Sequence, residues 1–139
     1  MITAVDTNVL LDVLGADPTF GRDSALTLRR CLREGRLIAC DVVWAETASF
    51  FESQEAAVDA LARLGIDFVP ASVESTLAAA VAWKEYRRRA DGRDRVAADF
   101  LVGSHAATTA DRLLTRDRGF YRAYFAGLTV LDPSRQPTA

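Results

Sequence analysis

The sequence predicts an α/β sandwich with a mainly parallel sheet of about five strands and helices on both faces. Short apolar runs, partly β-branched, alternate along the chain with longer segments of helical composition. At three places, Gly35, Gly65 and Gly127, a predicted helix is followed by glycine and then by a strand. With 139 residues, half of them hydrophobic, we expect a single domain over residues 1–139 whose tail is frayed from about residue 133.

The first strand and helix are predicted within the first fourteen residues. Residues 2–5 are short and partly β-branched, whereas residues 8–14 have helical composition. Asp6 therefore lies where a strand ends, and ligands of open α/β sheets collect outside the carboxyl ends of strands. For a single acid in this place, capping of the following helix is the alternative role.

The middle of the chain continues the alternation of helix and strand. A helix over residues 21–34 is expected to turn Ala25, Leu28 and Leu32 inward, and a strand follows over 37–40. The remaining predictions are a mostly buried helix over 42–51 capped by Asp41, a helix over 55–64 capped by Ser53, and a strand over 66–69.

The longest predicted helix begins after Ser72 and runs to about residue 90. Its inward face is predicted to carry Val73, Leu77, Ala80, Val81 and Trp83. The arginines at 87–89 that follow fit either a solvated helix end or an RNA contact. A polar connection leads to a nearly uncharged helix over 96–109, a strand over 113–115, a helix over 120–125 and a strand over 128–131.

The charge balance argues against a domain that holds nucleic acid by bulk electrostatics alone, because the formal net charge is −2. Ten of the seventeen basic residues but only six of the nineteen acids fall between Lys84 and Arg122, so this part is locally positive. Sixteen of the seventeen basic residues are arginine, which suits phosphate but also fits a codon bias.

Several classes of protein are disfavoured by composition. No stretch approaches a membrane span and no signal peptide is apparent, so a cytoplasmic protein is expected. Cys31 and Cys40 lack metal-site spacing and are predicted to be reduced core thiols. His105, the one histidine, rules out a multi-histidine zinc centre and fits a hydrogen-bonded core residue better than a general base.

Carboxylates stand in apolar surroundings at several matching places. Asp6, Glu46 and Asp99 are each the lone acid of an apolar run, and Asp117 follows a strand as Asp6 does. If the strands are parallel, these acids converge on one edge of the sheet, where like charges need a cation to offset them. Oxygen ligands select a hard cation, so the sequence predicts a site for Mg²⁺ or Mn²⁺.

In this pattern the chain resembles the PIN-domain ribonucleases and, among them, the VapC toxins of toxin–antitoxin pairs. The matching segments are residues 4–10, 44–47, 99–106, 113–121 and 124–128. The resemblance spans nearly the whole chain, and the order and placement of these pieces make it specific. It implies a PIN-like α/β/α sandwich and a toxin that cuts RNA, with transfer RNA or ribosomal RNA as the expected substrate.

The resemblance also implies roles for individual residues. Asp6 and Asp99 would be the principal metal ligands, with Asp117 binding directly or through water. Glu46 would orient or deprotonate the attacking water, or help to hold a second ion. Asn8 and Thr115 would support these acids through hydrogen bonds, and Arg116 and Arg118 would contact RNA phosphates.

Partners and further acids follow from the same resemblance. VapC-like proteins bind a VapB-like antitoxin through apolar surface of their early helices and commonly form homodimers. Trp44, Phe50 and Phe51 are expected in the core, or alternatively in that antitoxin groove. Asp91 and Asp94 add carboxylates before Asp99, either facing the pocket or lying in a solvated loop.

Two other functions share part of this pattern. A phosphoacceptor receiver domain also gathers acids and Mg²⁺ at strand ends, but it requires a strand-end lysine, and the sole lysine, Lys84, lies within a predicted helix. A catalytically silent binding module with the same fold is the second alternative, although such a module has no need to retain all four acids.

Overall fold

A computed structural model describes residues 1–89 and 95–135 of the chain. In this part, five parallel strands form one sheet in the order β3-β2-β1-β4-β5. The strands are β1 (Ile2–Val5), β2 (Arg36–Ala39), β3 (Ile66–Phe68), β4 (Arg112–Leu114) and β5 (Val130–Leu131). The helices are α1 (Thr7–Leu14), α2 (Gly21–Glu34), α3 (Asp41–Ala48), α4 (Gln54–Arg63), α5 (Val73–Arg89), α6 (Ala97–Thr109) and α7 (Arg118–Tyr124). The predicted fold class is confirmed.

The centre of the sheet determines where the site lies. β1 pairs with β2 on one side and with β4 on the other, with Val5 opposite Leu114. Leu37, Leu113 and Leu114 are fully buried, as are Val9 and Leu10 of the adjoining helix. Because all strands are parallel, the residues that follow β1 and β4 emerge side by side at one edge of the sheet.

Two of the glycines predicted to separate a helix from a strand fill that place for different reasons. Gly65 has a φ of 76°, in the left-handed region that few other residues adopt without strain. Gly35 instead lies so close to Met1 that a Cβ on it would stand 1.9 Å from the Met1 carbonyl oxygen. Glycine is therefore favoured before β3 by its positive φ and before β2 by the close packing of the backbone against Met1.

The face of α5 that packs inward differs from the prediction. Val73, Leu77 and Val81 are 63–77% exposed, Ala80 is exposed and Trp83 is half-buried. The buried residues of α5 are Ser75, Ala79 and Tyr86. Apolar residues lie on both faces of this helix, so periodicity alone did not identify the face that packs inward.

Two other helices also depart from expectation. Helix α3 begins at Asp41 and ends at Ala48, so Asp41 lies inside the helix rather than capping it, and Phe50 beyond its end is 72% exposed. In α2, Leu28 is buried as predicted, but Leu32 is 44% exposed. The amphipathic pattern places both helices correctly yet overestimates how deeply they are buried.

The remaining predictions concern thiols, membranes and the tail. Cys31 and Cys40 are buried free thiols, as predicted. Among the described residues no helix has both the length and the apolar character needed to span a bilayer. The predicted tail is ordered at its start, where the backbone N–H groups of Ser134 and Arg135 bond to Asp132, and residues 136–139 lie outside the described ranges.

Candidate active site

Asp6 lies at the junction of β1 and α1 and is 8% exposed. One carboxylate oxygen, Oδ1, accepts the Thr7 N–H at 2.8 Å. The other, Oδ2, accepts the hydroxyls of Thr115 at 2.8 Å and Tyr121 at 3.2 Å. The capping role and the strand-end role therefore belong to one side chain.

Asp6 takes part in none of the ion pairs among residues 1–89 and 95–135. Burial raises the pKa of Asp6 to about 6, and the negative charge of Glu46 adds to this rise. The hydrogen bonds from Thr115, Thr7 and Tyr121 oppose the rise only in part. Asp6 is thus a carboxylate whose ionised form is stabilised by neutral donors alone.

Asn8 and Thr115 connect the two strand ends. The Asn8 amide nitrogen donates to Thr115 Oγ1 at 3.2 Å, and the Asn8 amide oxygen accepts the Arg116 N–H at 3.2 Å. Thr115 Oγ1 also accepts the Asp117 N–H at 3.0 Å while it donates to Asp6. These contacts fix the loop that carries Asp117 relative to the start of α1.

Glu46 projects from α3 and is exposed, so the expectation that it is a buried acid is wrong. Its Oε1 accepts the Thr7 hydroxyl at 2.8 Å. Thr7 follows Asp6 directly, and the charge of Glu46 contributes to the raised pKa of Asp6. Glu46 therefore lies beside Asp6 but on the solvent side of the cleft.

Asp99 and Asp117 are half-buried rather than buried. Asp99, in the first turn of α6, accepts the Val96 N–H through Oδ2 at 3.1 Å. Asp117 precedes α7 and forms a two-pronged ion pair with Arg95, with 3.2 Å between Arg95 Nη2 and Asp117 Oδ1. Each acid is therefore held by the segment that leads into α6.

Tyr121 lies within reach of the charges of three of the acids. Burial raises the pKa of its phenol, and the negative charges of Asp6, Asp99 and Asp117 raise it further. Glu46 is linked to Asp6 by a separate route, through the Thr7 hydroxyl. Asp91 and Asp94 lie outside the described residues.

The acids are neighbours but do not form a finished ligand set. Within the described part of the chain, no three Asp, Glu, His or Cys side chains stand close enough to hold a metal ion. Arg95 and the Val96 N–H engage two of the four acids. The donor chemistry nevertheless fits a hard divalent cation, because every donor is oxygen and no ion pair among the described residues includes the buried Asp6.

Arg116 and Arg118 differ in what surrounds them. Arg116 forms a two-pronged ion pair with Asp12, with Nε–Oδ2 and Nη2–Oδ1 distances of 2.7 and 3.0 Å, and stacks on Phe20 with 4.0 Å between its Cζ and the ring centre. Its guanidinium is therefore already bound within the chain. Desolvation lowers the pKa of Arg118, the positive charges of Arg122 and Arg135 lower it further, and the charge of Asp132 opposes the change.

His105 is buried on α6, and burial lowers its pKa. This agrees with the expectation of a core residue. Four other participants escaped the sequence analysis: Thr7, Asp12, Arg95 and Tyr121. Thr7 had a signal in its position next to Asp6, whereas Asp12, Arg95 and Tyr121 are placed by tertiary contacts to residues 22 or more positions away.

Solved structures with the same fold include toxin–antitoxin complexes. The chain is similar to a structure of VapBC2 from Rickettsia felis bound to a promoter DNA fragment, with 20% identity, a TM-score of 0.73, and coverage of 95% of this chain and 98% of that one. It is also similar to VapBC-1 from nontypeable Haemophilus influenzae, with 17% identity, a TM-score of 0.72, and coverage of 97% and 100%.

A third similar structure is VapC20 of Mycobacterium tuberculosis, described as a toxin that cleaves the sarcin-ricin loop. It shows 19% identity, a TM-score of 0.61, and coverage of 91% of this chain and 96% of that one. No curated protein sequence gives a significant match. At these identities the structural likeness demonstrates the fold. The sequence pattern of the PIN domain matches residues 3–126, and the chain therefore belongs to the PIN-domain family.

Proposed function

We propose that this protein is a metal-dependent endoribonuclease and the toxin of a toxin–antitoxin pair. The observation that supports this most directly is Asp6, a buried carboxylate that neutral groups bond and that no ion pair among residues 1–89 and 95–135 includes. A purely structural acid in such a place gains a basic partner from the chain or becomes protonated. The similarity to toxin structures makes RNA the preferred substrate class.

Each acid of the site has a proposed role in metal binding or proton transfer. Asp6, Asp99 and Asp117 would hold Mg²⁺ or Mn²⁺, which when bound supplies a more acidic water and offsets negative charge on the phosphate. Glu46, on the solvent side of the cleft, accepts the proton of the attacking water or orients it. Thr7 holds Glu46 in place through its hydroxyl. Asn8 and Thr115 keep Asp6 and the Asp117 loop in register.

Arg118 is the proposed contact for the RNA backbone next to the acids. It directly follows Asp117, and Arg122 lies one helical turn further along α7. Neither arginine forms an ion pair with a described residue. Their positive charge would offset the repulsion between the acidic cleft and an RNA strand.

The test is an RNA cleavage assay with wild type, Asp6→Asn and Asp59→Asn. Asp59 pairs with Arg63 on the exposed surface of α4 and serves as a matched loss of one carboxylate. We expect wild type and Asp59→Asn to cleave in Mg²⁺ or Mn²⁺ and to stop in EDTA, and Asp6→Asn to be inactive. If wild type cleaves no RNA, with or without EDTA, the binding-module alternative is favoured. Cleavage that EDTA leaves unchanged would contradict the proposed metal dependence.

An apolar groove fits the proposed antitoxin. It encloses about 430 Å³ and is lined at one end by Leu11 and Leu14 of α1 and at the other by Phe50 and Phe51. Such a groove suits the apolar face of a helix from a VapB-like partner. Co-expression with the product of the adjacent upstream gene should give a complex that Phe50→Asp disrupts and Val73→Asp, an exposed change on α5, preserves.

We also propose that two copies of the chain form a homodimer through the exposed apolar face of α5. Val81 lines a groove of about 770 Å³ between α5, α6 and α7 that also contains Tyr124 and Phe125. An apolar groove of this kind on a small domain favours an interface. Light scattering after size-exclusion chromatography should show a dimer for wild type and a monomer for Val81→Asp; a wild-type monomer at all concentrations contradicts the proposal.

A further inference from the structure

The two residues that precede α6 hold two of the acids of the cleft. Arg95 forms its ion pair with Asp117, and the Val96 N–H donates to Asp99 at 3.1 Å. The side chains of Arg95 and Asp117 are 26% and 34% exposed, so the pair lies at the mouth of the cleft rather than in the core. A cation that binds Asp117 must therefore meet Arg95.

Arg95 is also shaped to bind phosphate. Its guanidinium lies over the ring of Phe120, with 4.3 Å between Cζ and the ring centre, which orients the plane of the fork. A guanidinium fork binds a carboxylate or a phosphate with the same two-pronged geometry. Arg95 thus stands beside the proposed reaction centre with a group that fits either partner.

We propose that Arg95 changes partner during the proposed reaction. In the resting protein it neutralises Asp117, and once a divalent cation binds Asp117, Arg95 turns to a phosphate oxygen of the RNA strand. This inference rests on the proposed function, and it makes Arg95 both a competitor for the metal and a phosphate-binding residue.

Electrostatics favours such an exchange. A divalent cation and a guanidinium on one carboxylate repel each other, whereas a phosphate beside the metal supplies a new negative partner at close range. The ion pair is partly exposed, so breaking it costs little compared with a buried pair. Arg95 therefore offsets the charge of Asp117 beside the other acids until RNA arrives, and then binds a phosphate of the strand.

The experiment compares wild type, Arg95→Gln and Arg63→Gln in two measurements. Arg63 forms an exposed ion pair on α4 and controls for the loss of one positive charge. Calorimetry without RNA measures Mn²⁺ affinity, and single-turnover cleavage is measured at saturating Mn²⁺. For Arg95→Gln we expect affinity about tenfold higher and cleavage about 10²-fold slower, and for Arg63→Gln neither change.

Opposite movement of the two quantities distinguishes this role from a merely structural one. If Arg95 only positions Asp117, Arg95→Gln weakens Mn²⁺ binding and cleavage together, which overturns the proposal. Arg95→Lys, which keeps the charge but not the fork, should retain wild-type Mn²⁺ affinity and slow cleavage; unimpaired cleavage would also overturn it. Wild-type protein that binds no Mn²⁺ overturns the proposed function itself.

Discussion

Asp6 caps α1 and Asp12 lies within it; both are buried, yet they have opposite kinds of partner. Asp12 is 4% exposed and receives the Arg116 guanidinium and the Ser24 hydroxyl. Asp6 is 8% exposed and receives two hydroxyls and a backbone N–H, and none of the ion pairs within the described ranges includes it. Burial alone therefore does not determine how a carboxylate is neutralised: Asp12 has an internal guanidinium, whereas Asp6 is held by neutral donors in the part of the chain that the structure describes.

Breaking the ion pair between Asp12 and Arg116 should lower the free energy of unfolding more than any other change considered. Asp12→Ala leaves the guanidinium of Arg116 without its carboxylate in a partly buried place, so we expect the free energy of unfolding to fall by about 3–5 kcal/mol. Urea denaturation measures this. Asp59→Ala, which removes an exposed pair, should cost less than about 1 kcal/mol. Equal losses in the two variants would mean that Asp12 is not a buried structural ion.

Removing the charge of Asp6 should instead increase the free energy of unfolding. Its pKa of about 6 in the folded protein exceeds the ordinary 3.8, so the folded protein binds the proton more tightly, and the ionised group lowers stability at pH 7.5. Asp6→Asn should therefore raise the metal-free free energy of unfolding by about 1–2 kcal/mol at that pH.

The stability advantage of Asp6→Asn should depend on pH, and this dependence tests its cause. In wild type the destabilisation is relieved as the pH falls through 6 towards 3.8, because Asp6 becomes protonated in the folded state. Urea denaturation in EDTA should thus show a smaller advantage of Asp6→Asn at pH 5 than at pH 7.5. A variant less stable than wild type at pH 7.5 would contradict the cost assigned to the Asp6 charge.

The last prediction concerns the pH dependence of cation binding at Asp6. A proton on Asp6 competes with the proposed cation, so Mn²⁺ affinity should fall by about tenfold for each pH unit below 6, equal to about 1.4 kcal/mol per unit. Calorimetry between pH 5 and 7 measures this dependence. An affinity that stays constant over that range would show that Asp6 is not a ligand or is ionised throughout.

The sequence predicted the sheet, and with it the meeting of the ends of β1 and β4, because strand and helix alternation is a local pattern. Parallel strands bring the residues after β1 and β4 together, so Asp6 and Thr115 were expected to be neighbours and are. The inner face of α5 was not predictable, since apolar residues occupy several of its faces. The pairing of Asp12 with Arg116 joins residues 104 positions apart, and periodicity carries no information about such contacts.

The hydroxyl of Thr115 has a consequence for which amino acids this position tolerates. It donates to Asp6 and accepts from both Asn8 and the Asp117 N–H, so it uses its full hydrogen-bonding capacity. Serine is the one other natural side chain with a hydroxyl on Cβ. In a saturation mutagenesis library selected for activity, codon 115 should therefore retain these two amino acids and lose even isosteric valine.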